Sequence, residues 1–369
     1  MLLEKTKIYG VDGVGGSSST LTRTDGAVGL GYTKGTSEIV SDFDCCYPWS
    51  EMQEVVDELG NVFIRIPKFY TKITKNENGT YKHQISGCRY DGFSTLFIDG
   101  KGNEIDYILV GKYEGSCDSS DCATAKMKSV SGATVKVNIN IVNYRKACMN
   151  NGAGYQQYDF LIDAIIKELW LIEMATTHCQ RVMSGFTSGN NTAALITGHT
   201  DKVKTPSGSY NNNHDLESEP WTDTTCNTDG LHACKYRGIE NPWGNTYTFC
   251  DGINFEKEKI FICTDPEHYA STKYDAPYFY MGDRIMSDGY IKTVTPFAKN
   301  PLLGYATEVG AGGTTHYSDY HYQIETGTIL FVGGGWRTGP GAGLWFWSSR
   351  SDASSALGSF GGRLCYKPL

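Results

Sequence analysis

Alternating apolar and polar positions predict three strands in the first part of the chain. Residues 61–73 alternate, with a break expected at Pro67 because proline cannot donate to a strand ladder. Residues 107–113 form a second apolar run, and residues 133–142 alternate with a period of two. The pattern therefore indicates short strands separated by turns.

A different spacing, of three and four residues, predicts one long helix over residues 155–175. The apolar positions that share its inner face are Tyr158, Leu161, Ile162, Ile165, Leu169 and Ile172. Asp159, Asp163 and Lys167 fall on the other side and predict a solvated face. The segment is expected to be a core helix.

The sequence around residue 50 predicts a short helix. Ser50 is placed as its N-cap with Gln53 three residues later, and Gly60 is placed where a helix ends. Residues 1–50 before it are rich in Gly, Ser and Thr, which indicates an irregular, strand-poor attachment segment. The remaining residues, 51–369, are expected to form one domain, with extensive loops after the long helix.

Composition narrows the class of partner. The chain has 369 residues, 43 glycines and 24 tyrosines, and a formal charge of −8. That charge argues against nucleic acid, since such proteins carry a basic footprint. No apolar run is long enough to predict membrane insertion, and the amino terminus lacks the apolar core of a signal peptide. We expect the protein to fold in a cytoplasm. A virion component that is assembled there and acts outside the cell also fits these features.

Candidate metal ligands are few. The twelve cysteines are expected to be mostly free thiols, and Cys226 and Cys234 lack the CxxC spacing of a zinc site. Asp229 and Asp251 each precede glycine, which is first a turn signal and second a calcium-loop pattern. His316 and His321, in a Tyr-rich stretch, are expected to be solvated. We predict no cofactor, with calcium as the alternative.

None of the common catalytic motifs is present. The sequence contains no GxSxG, HExxH, phosphate-binding GxxxxGK[ST] or dinucleotide-binding GxGxxG motif. Because catalytic groups converge in space rather than in sequence, this absence lowers the expectation of an enzyme without excluding one. We therefore predict a binding protein.

The carboxyl-terminal segment, residues 333–366, carries the most informative pattern. A β run over 328–332 leads to three glycines and Trp336, and residues 344–350 predict another strand. Period two places Trp345 and Trp347 on one face, expected to pack inward. Phe346 and Arg350 would then face outward, and this is typical of a contact surface. Edge strands closing a β core remain the alternative.

Three blocks, spread from residue 110 to residue 364, resemble the formylglycine-generating-enzyme branch of the C-type-lectin fold. The blocks are Val110-Gly111-Lys112-Tyr113-Glu114, Asn241-Pro242-Trp243-Gly244-Asn245, and Gly334-Gly335-Trp336 followed by Trp347 and Gly361-Gly362-Arg363-Leu364. The resemblance implies an α+β, C-type-lectin-like domain with short strands, two or so helices and extensive loops. A divergent metal-dependent oxidase of that branch is the alternative function, but no cysteine follows Trp336 before Cys365.

The ending also resembles the variable proteins of diversity-generating retroelements, such as phage tropism determinants. That resemblance implies variable, ligand-binding side chains on a fixed frame of Trp, Gly and Arg363. The positions it indicates are Arg337, Thr338, Pro340, Leu344, Phe346, Ser348, Arg350, Ser351, Asp352, Ser355, Leu357 and Ser359. Residues 337–366 contain no Lys, Gln, Glu or Met, as expected if adenines of AAC codons were randomised.

The resemblance to such variable proteins also implies a function. It predicts a receptor-binding protein of a phage or prophage tail that displays a diversified surface to a bacterial surface protein or glycan. Phe346 and Arg350 are predicted to be the anchors of that contact. A homo-oligomer, a trimer, is expected by analogy with that family alone. Display of several copies would raise weak single-site affinity by avidity.

Overall fold

The computed structural model describes residues 2–117, 119, 124–190, 193–209 and 225–368. In these residues short β-strands dominate. In chain order the strands are β1 Ile8–Val14, β2 Thr22–Asp25, β3 Tyr32–Lys34, β4 Glu38–Ser41, β5 Gln53–Val56, β6 Val62–Pro67, β7 Tyr70–Lys75, β8 Tyr81–Ser86, β9 Tyr107–Gly111, β10 Tyr155–Gln157, β11 Ser207–Ser209, β12 Cys234–Tyr236, β13 Ile239–Glu240, β14 Tyr247–Cys250, β15 Ile253–Glu256, β16 Lys259–Ile262, β17 Phe279–Asp283, β18 Gly289–Phe297, β19 Asn300–Val309, β20 Tyr320–Gln323, β21 Leu330–Gly333, β22 Gly343–Ser349, β23 Phe360–Gly361 and β24 Leu364–Tyr366.

Helices are short and few in the same residues. They are α1 Leu2–Lys5, α2 Ile141–Met149, α3 Phe160–Met174 and α4 Cys179–Val182, with 3₁₀ turns at Asp42–Cys45, Trp49–Glu51, Pro266–His268 and Gly339–Gly341. Only α3 exceeds nine residues. Among the described residues, no helix has the length and apolar character needed to cross a membrane.

The described strands form five sheets. Their strand orders are β2-β1-β8-β7, β10-β24-β9-β6-β5, β13-β12-β11-β4-β3, β19-β18-β20-β22-β21-β14-β23 and β15-β16-β17. The seven-stranded sheet has β22 at its centre, paired in parallel with β20 and antiparallel with β21. Strand β22 of the carboxyl-terminal segment is therefore interior to the largest sheet, whereas β23 lies at one end of that sheet.

The predicted α+β class is wrong, because the fold is β-rich. The segment from α3 to about residue 330 was expected to be mostly loop, yet it contains β11 to β20. Its Gly, Asn and Asp residues mark turns between strands that are often only two to five residues long. Strands this short give little periodic signal, so turn-rich composition concealed them.

Helix α3 forms where the apolar spacing predicts it, but it begins later. Asp159 caps it by accepting a hydrogen bond from the Ile162 amide, and Ala175 ends it in a left-handed conformation with φ 49°. Residues 155–157 form β10 instead. The predicted solvated face is wrong too: Asp163 and Lys167 are buried and paired with each other.

The core surrounds α3. The helix contacts β1 and β8, and it also contacts β19, the strand at one end of the seven-stranded sheet. Trp170 lies between Tyr236 and Trp243, with ring centroids 5.0 and 5.1 Å away. A helix covered on all sides is apolar around most of its circumference, which explains its high hydrophobicity.

Two smaller predictions fail. The short helix expected after Ser50 is only a 3₁₀ turn, and Gln53–Val56 is strand β5. Gly60, with φ 78°, instead lies in the turn that joins β5 to β6. A strand was predicted over residues 133–142, but residues 133–140 form no strand. Residues 141 and 142 begin α2, which Asn140 caps with its side chain. Alternation over so few residues did not distinguish strand from irregular backbone.

The first fifty residues contain more structure than expected. The predicted strand-poor character is wrong, since β1 to β4 lie within them and β1 pairs with β8. Tyr9 and Val11 are buried in the main core. Their role as an attachment segment, and the division at residue 50, stay predictions.

Several strands are confirmed. β6 and β7 flank the break expected at Pro67, and β9 occupies the second predicted run. β21 and β22 correspond to the two strands predicted in the carboxyl-terminal segment. Two further short strands, β23 and β24, end the chain, with Arg363 between them.

Candidate binding surface

Strand β22 is covered on both faces. Trp347 stacks on Tyr305 with ring centroids 4.5 Å apart, and the Lys167 ammonium lies 4.4 Å from the Trp347 ring centroid. Trp345 packs near Tyr317. The two tryptophans point into the core as predicted, and they fix this strand against α3 and β19.

The opposite face of β22 is also buried, which corrects the prediction for three residues. Phe346 is 0 % exposed, and Leu344 and Ser348 are also buried. Phe346 lies between Tyr247 and Tyr322, with ring centroids 5.6 and 5.9 Å away. A period of two identifies the faces of a strand but not whether aromatic neighbours cover the second face. Phe346 is therefore a core residue, not an outward anchor.

The two tyrosines that contact Phe346 belong to a larger group of rings, in which Tyr320 contacts Tyr322 and Tyr290 contacts Tyr320. Tyr320 and Tyr322 of β20 have ring centroids 4.4 Å apart, and Tyr290 of β18 lies 5.0 Å from Tyr320. Together with Tyr247 of β14 they are half-buried. We call Tyr247, Tyr290, Tyr320, Tyr322 and the underlying Phe346 the aromatic face.

Glycines in the GGG segment allow Tyr247 to reach Phe346. Strand β21 separates β14 from β22, and the glycines at residues 333–335 lie at the end of β21. A Cβ atom on Gly335 would lie 2.9 Å from the Tyr247 ring, and Gly333 and Gly334 have φ of 81° and 75°. The close approach that glycine permits is thus used here to lay one ring across the sheet.

Arg350 borders the aromatic face at the end of β22. Its guanidinium lies 4.8 Å from the Tyr322 ring centroid, and Nη2 lies 2.8 Å from Asp288 Oδ2. Asp288 Oδ1 accepts a hydrogen bond from the Gln323 amide at 2.9 Å. The side chain of Arg350 is half exposed, so its remaining donors can reach a ligand.

Thr338 borders the aromatic face at the other end of the segment. Its hydroxyl donates to the Tyr247 hydroxyl at 3.0 Å and accepts from the Gly335 amide at 2.8 Å. Arg337 and Pro340 beside it are exposed. Thr338 and Arg350 therefore lie at opposite ends of a continuous contact path through Tyr247, Phe346 and Tyr322.

The remaining predicted residues lie in the loop after β22. Asp352 and Leu357 are exposed, whereas Ser351, Ser355 and Ser359 are half-buried. Asp352 accepts hydrogen bonds from Ser354 and Ser355, and these lower the pKa of its carboxyl. The Ser359 carbonyl accepts from the Tyr247 amide, which ties the loop to the aromatic face. We call the loop, Arg337, Thr338, Pro340 and Arg350 the rim.

The sequence did not identify the four tyrosines. Tyr320 and Tyr322 lie on either side of His321, a candidate metal ligand. Their spacing of two places both rings on one face of a strand, and this was the sequence signal that could have identified them. His321 between them is buried, contrary to the expected solvation, and burial lowers its pKa to about 4. Ligand binding by the predicted residues that are at least partly exposed stays a prediction.

The candidate metal ligands already have protein partners. Asp251 is buried and receives two hydrogen bonds from the Arg145 guanidinium, at 2.6 and 2.7 Å. Asp229 accepts from the Leu231 amide and contacts His232. In the part of the chain that the structure describes, no three His, Cys, Asp or Glu side chains come together as a metal site would require. Calcium binding stays a prediction.

Cys365, the one cysteine after Trp336, is placed unlike a reactive thiol. It is 0 % exposed in β24, and burial raises the pKa of its thiol to about 12. A thiolate nucleophile requires the opposite shift. This residue therefore gives no support to the oxidase alternative.

Comparison with known proteins gives a weak structural likeness. No protein family matches the chain, and no curated protein matches it. A solved structure described as "Major Tropism Determinant U1 Variant" is similar with a TM-score of 0.29 and 8% identity, over 98% of this chain and 72% of that one. A TM-score this low supports no conclusion about fold or function.

Proposed function

We propose that this chain is a binding protein whose ligand rests on the aromatic face and is held by the rim. The observation that carries the proposal is the set of half-buried rings on Phe346. Among the described residues, the hydroxyls of Tyr290, Tyr320 and Tyr322 have no hydrogen-bond partner. Rings that are held in place but retain unused polar groups suit a contact surface.

The energetics favour such a surface. The rings pack on one another and on a buried strand, so a ligand would order few side chains on binding. Arg350 adds a charged donor at one end, and Thr338 adds a hydroxyl at the other. Tyrosine and arginine are the residue types that most often dominate binding energy.

The finer assignment is a receptor-binding protein of a phage or prophage tail that recognises a bacterial surface molecule. It is supported by the carboxyl-terminal motifs that resemble variable proteins of diversity-generating retroelements. In this proposal the partly exposed rim positions vary between copies of the gene. Leu344, Phe346 and Ser348 lie under the surface and contribute its shape.

Binding to bacterial cells tests the proposal. Labelled protein would be incubated with a panel of strains, and the strain that binds best would be used to compare variants. We expect Tyr320→Ala with Tyr322→Ala to reduce binding at least about tenfold. Tyr280→Ala, at an exposed tyrosine elsewhere, should bind as wild type. No binding to any strain, or an equal loss in Tyr280→Ala, would contradict the proposal.

Diversification has a separate test in the neighbouring DNA. We expect a near-copy of the 3′ end of the gene, with adenines at the rim codons, beside a reverse-transcriptase gene. A genome with neither would rule out diversification. The binding surface itself would still be tested by the tyrosine variants.

A further inference from the structure

The backbone that leads into β20 is strained. His316 and Ser318 have φ of 52° and 61°, in the left-handed region that a residue with a Cβ atom rarely adopts. Each residue held there costs free energy that the surrounding fold must supply. The other non-glycine residues of the described chain with positive φ lie at least four positions apart. Residues 316–318 therefore concentrate backbone strain directly before a strand that carries two tyrosines of the aromatic face.

The same part of the chain buries polar atoms that no described residue pairs with. Seventeen such side-chain atoms occur among the described residues, and five of them lie between residues 316 and 323. They are His316 Nδ1, Ser318 Oγ, Asp319 Oδ1, His321 Nε2 and Gln323 Oε1. Neighbouring atoms leave almost none of their surface accessible to water. Each atom has therefore lost its hydration without gaining a hydrogen bond. We call residues 316–323 the strained segment.

Asp319 is the most costly of these buried groups. Its side chain is fully buried, and Oδ2 accepts a hydrogen bond from the Trp345 amide at 2.8 Å. Burial raises the pKa of this carboxyl well above its usual range. A carboxyl group regains its hydration when the backbone around it opens to water. Asp319 therefore favours any form of the protein in which the strained segment is exposed.

The strained segment can move without disturbing the whole sheet. It is preceded by glycines at positions 310, 312 and 313, and it is followed by a turn in which the Gly327 amide donates to the Ile324 carbonyl. Glycine backbone absorbs large changes in φ and ψ. β20 pairs with β18 and β22, whereas β21 and β14 continue the sheet on the far side of β22. The part of the sheet from β22 to β14 can thus stay paired when β20 leaves.

We infer that the strained segment, residues 316–323, detaches from β18 and β22 as one unit while the rest of the sheet stays folded. In this open form the five polar atoms regain water, and His316 and Ser318 leave the left-handed region. The pairing of β20 with its two neighbours is lost in exchange. The protein therefore has a closed form and a less populated open form.

Opening would dismantle the aromatic face. Tyr320 and Tyr322 both belong to β20, so they leave the face together. A ligand that contacts these two rings binds the closed form alone, and its binding suppresses the opening. This consequence rests on the proposed function, whereas the opening itself does not.

Hydrogen exchange of the full chain without ligand, followed by mass spectrometry, tests the inference. Strand β21 is the internal control, because it also lies inside the seven-stranded sheet. After correction for intrinsic rates, we expect the amides of β20 to exchange at least about tenfold faster than those of β21. Dilute urea should accelerate β21 but not β20, because a local opening exposes little surface. Equal rates in the two strands, or an equally steep dependence on urea, would overturn the inference.

Two substitutions at Ser318 separate the two sources of instability. Ser318→Ala removes the unpaired hydroxyl but keeps the left-handed backbone, and it should slow exchange in β20 about two- to fivefold. Ser318→Gly also relieves the backbone and should slow exchange about five- to twentyfold. Lys257→Gly, at an exposed residue with φ 53°, is the control and should leave β20 unchanged. Wild-type exchange in both Ser318 variants, or equal slowing by Lys257→Gly, would contradict the inference. Because no ligand is added, these results are independent of the cell-binding test of the proposed function.

Discussion

The guanidinium of Arg350, the residue that follows β22, lies 4.8 Å from the centroid of the Tyr322 ring. Asp288 holds it there through Nη2, at 2.8 Å. Arg350 therefore has one fixed orientation although its side chain is half exposed. A cation held against a tyrosine beside a surface of further tyrosines is positioned to contact a ligand.

Removal of the Asp288 charge should loosen Arg350 without unfolding the protein. In Asp288→Asn, Oδ1 can still accept from the Gln323 amide, whereas the ion pair is lost. We expect binding to bacterial cells to weaken about three- to tenfold and stability to change by less than about 1 kcal/mol. Asp275→Asn, at an exposed ion pair with Lys273, is the control. Unchanged binding in Asp288→Asn would show that the orientation of Arg350 is unimportant.

Truncation of Phe346 should act on stability. Its ring is fully buried between Tyr247 and Tyr322, so Phe346→Ala should lower the free energy of unfolding by about 3–5 kcal/mol. Leu357→Ala, at a side chain that is 55% exposed, should change it by less than about 0.5 kcal/mol. Urea denaturation measures both. A Phe346→Ala protein as stable as wild type would contradict the buried position.

Phe346 also shows where sequence reasoning stops. Alternation correctly predicted β22 and separated Trp345 from Phe346, because neighbouring side chains point to opposite faces. What lies on each face depends on β20 and β14, which are 20 to 100 residues away along the chain. Long-range pairing, including the parallel pairing of β20 with β22, has no local signal.

Length alone did not decide which elements could be predicted, because the four-residue strand β21 was predicted whereas the nine- and ten-residue strands β18 and β19 were not. Helix α3 has fifteen residues and a repeated apolar spacing, and its middle was predicted correctly. Strands such as β23, with two residues, are too short to show a period. The four tyrosines of the aromatic face escaped notice because they come from three strands, β14, β18 and β20, that are far apart along the chain. The rim lies in one continuous segment, so its candidate residues could be named from sequence.

Arg363 should be needed for stability even though it binds no carboxylate directly. Its guanidinium donates to four backbone carbonyls, those of Gly111, Lys112, Glu240 and Asn241. The ammonium of lysine cannot reproduce the two planar NH2 groups with which the guanidinium reaches these carbonyls. Arg363→Lys should therefore lower the free energy of unfolding by about 2–4 kcal/mol. Arg89→Lys, at an exposed arginine, should change it by less than about 0.5 kcal/mol. Similar midpoints for both variants in urea would show that the carbonyl cluster is unimportant.

His321 should make the protein sensitive to acid. It lies in β20 between Tyr320 and Tyr322, with Nδ1 near the Ser287 carbonyl at 3.2 Å. Burial lowers its pKa to about 4, below the value near 6.5 of an unfolded chain. The unfolded state therefore binds more protons between these values, and stability present above pH 6.5 is lost as the pH falls towards 4. The loss attributable to His321 is at most about 3 kcal/mol.

The variant His321→Phe isolates this contribution. Phenylalanine keeps the ring next to Tyr305 but has no proton to bind, so the stability of the variant should fall less steeply from pH 6.5 to 4 than that of wild type. His268→Asn, at an exposed histidine, should keep the wild-type slope. Because β20 carries two tyrosines of the aromatic face, cell binding by wild type should decline over the same pH range before global unfolding. Equal slopes in wild type and His321→Phe would mean that other groups cause any acid sensitivity.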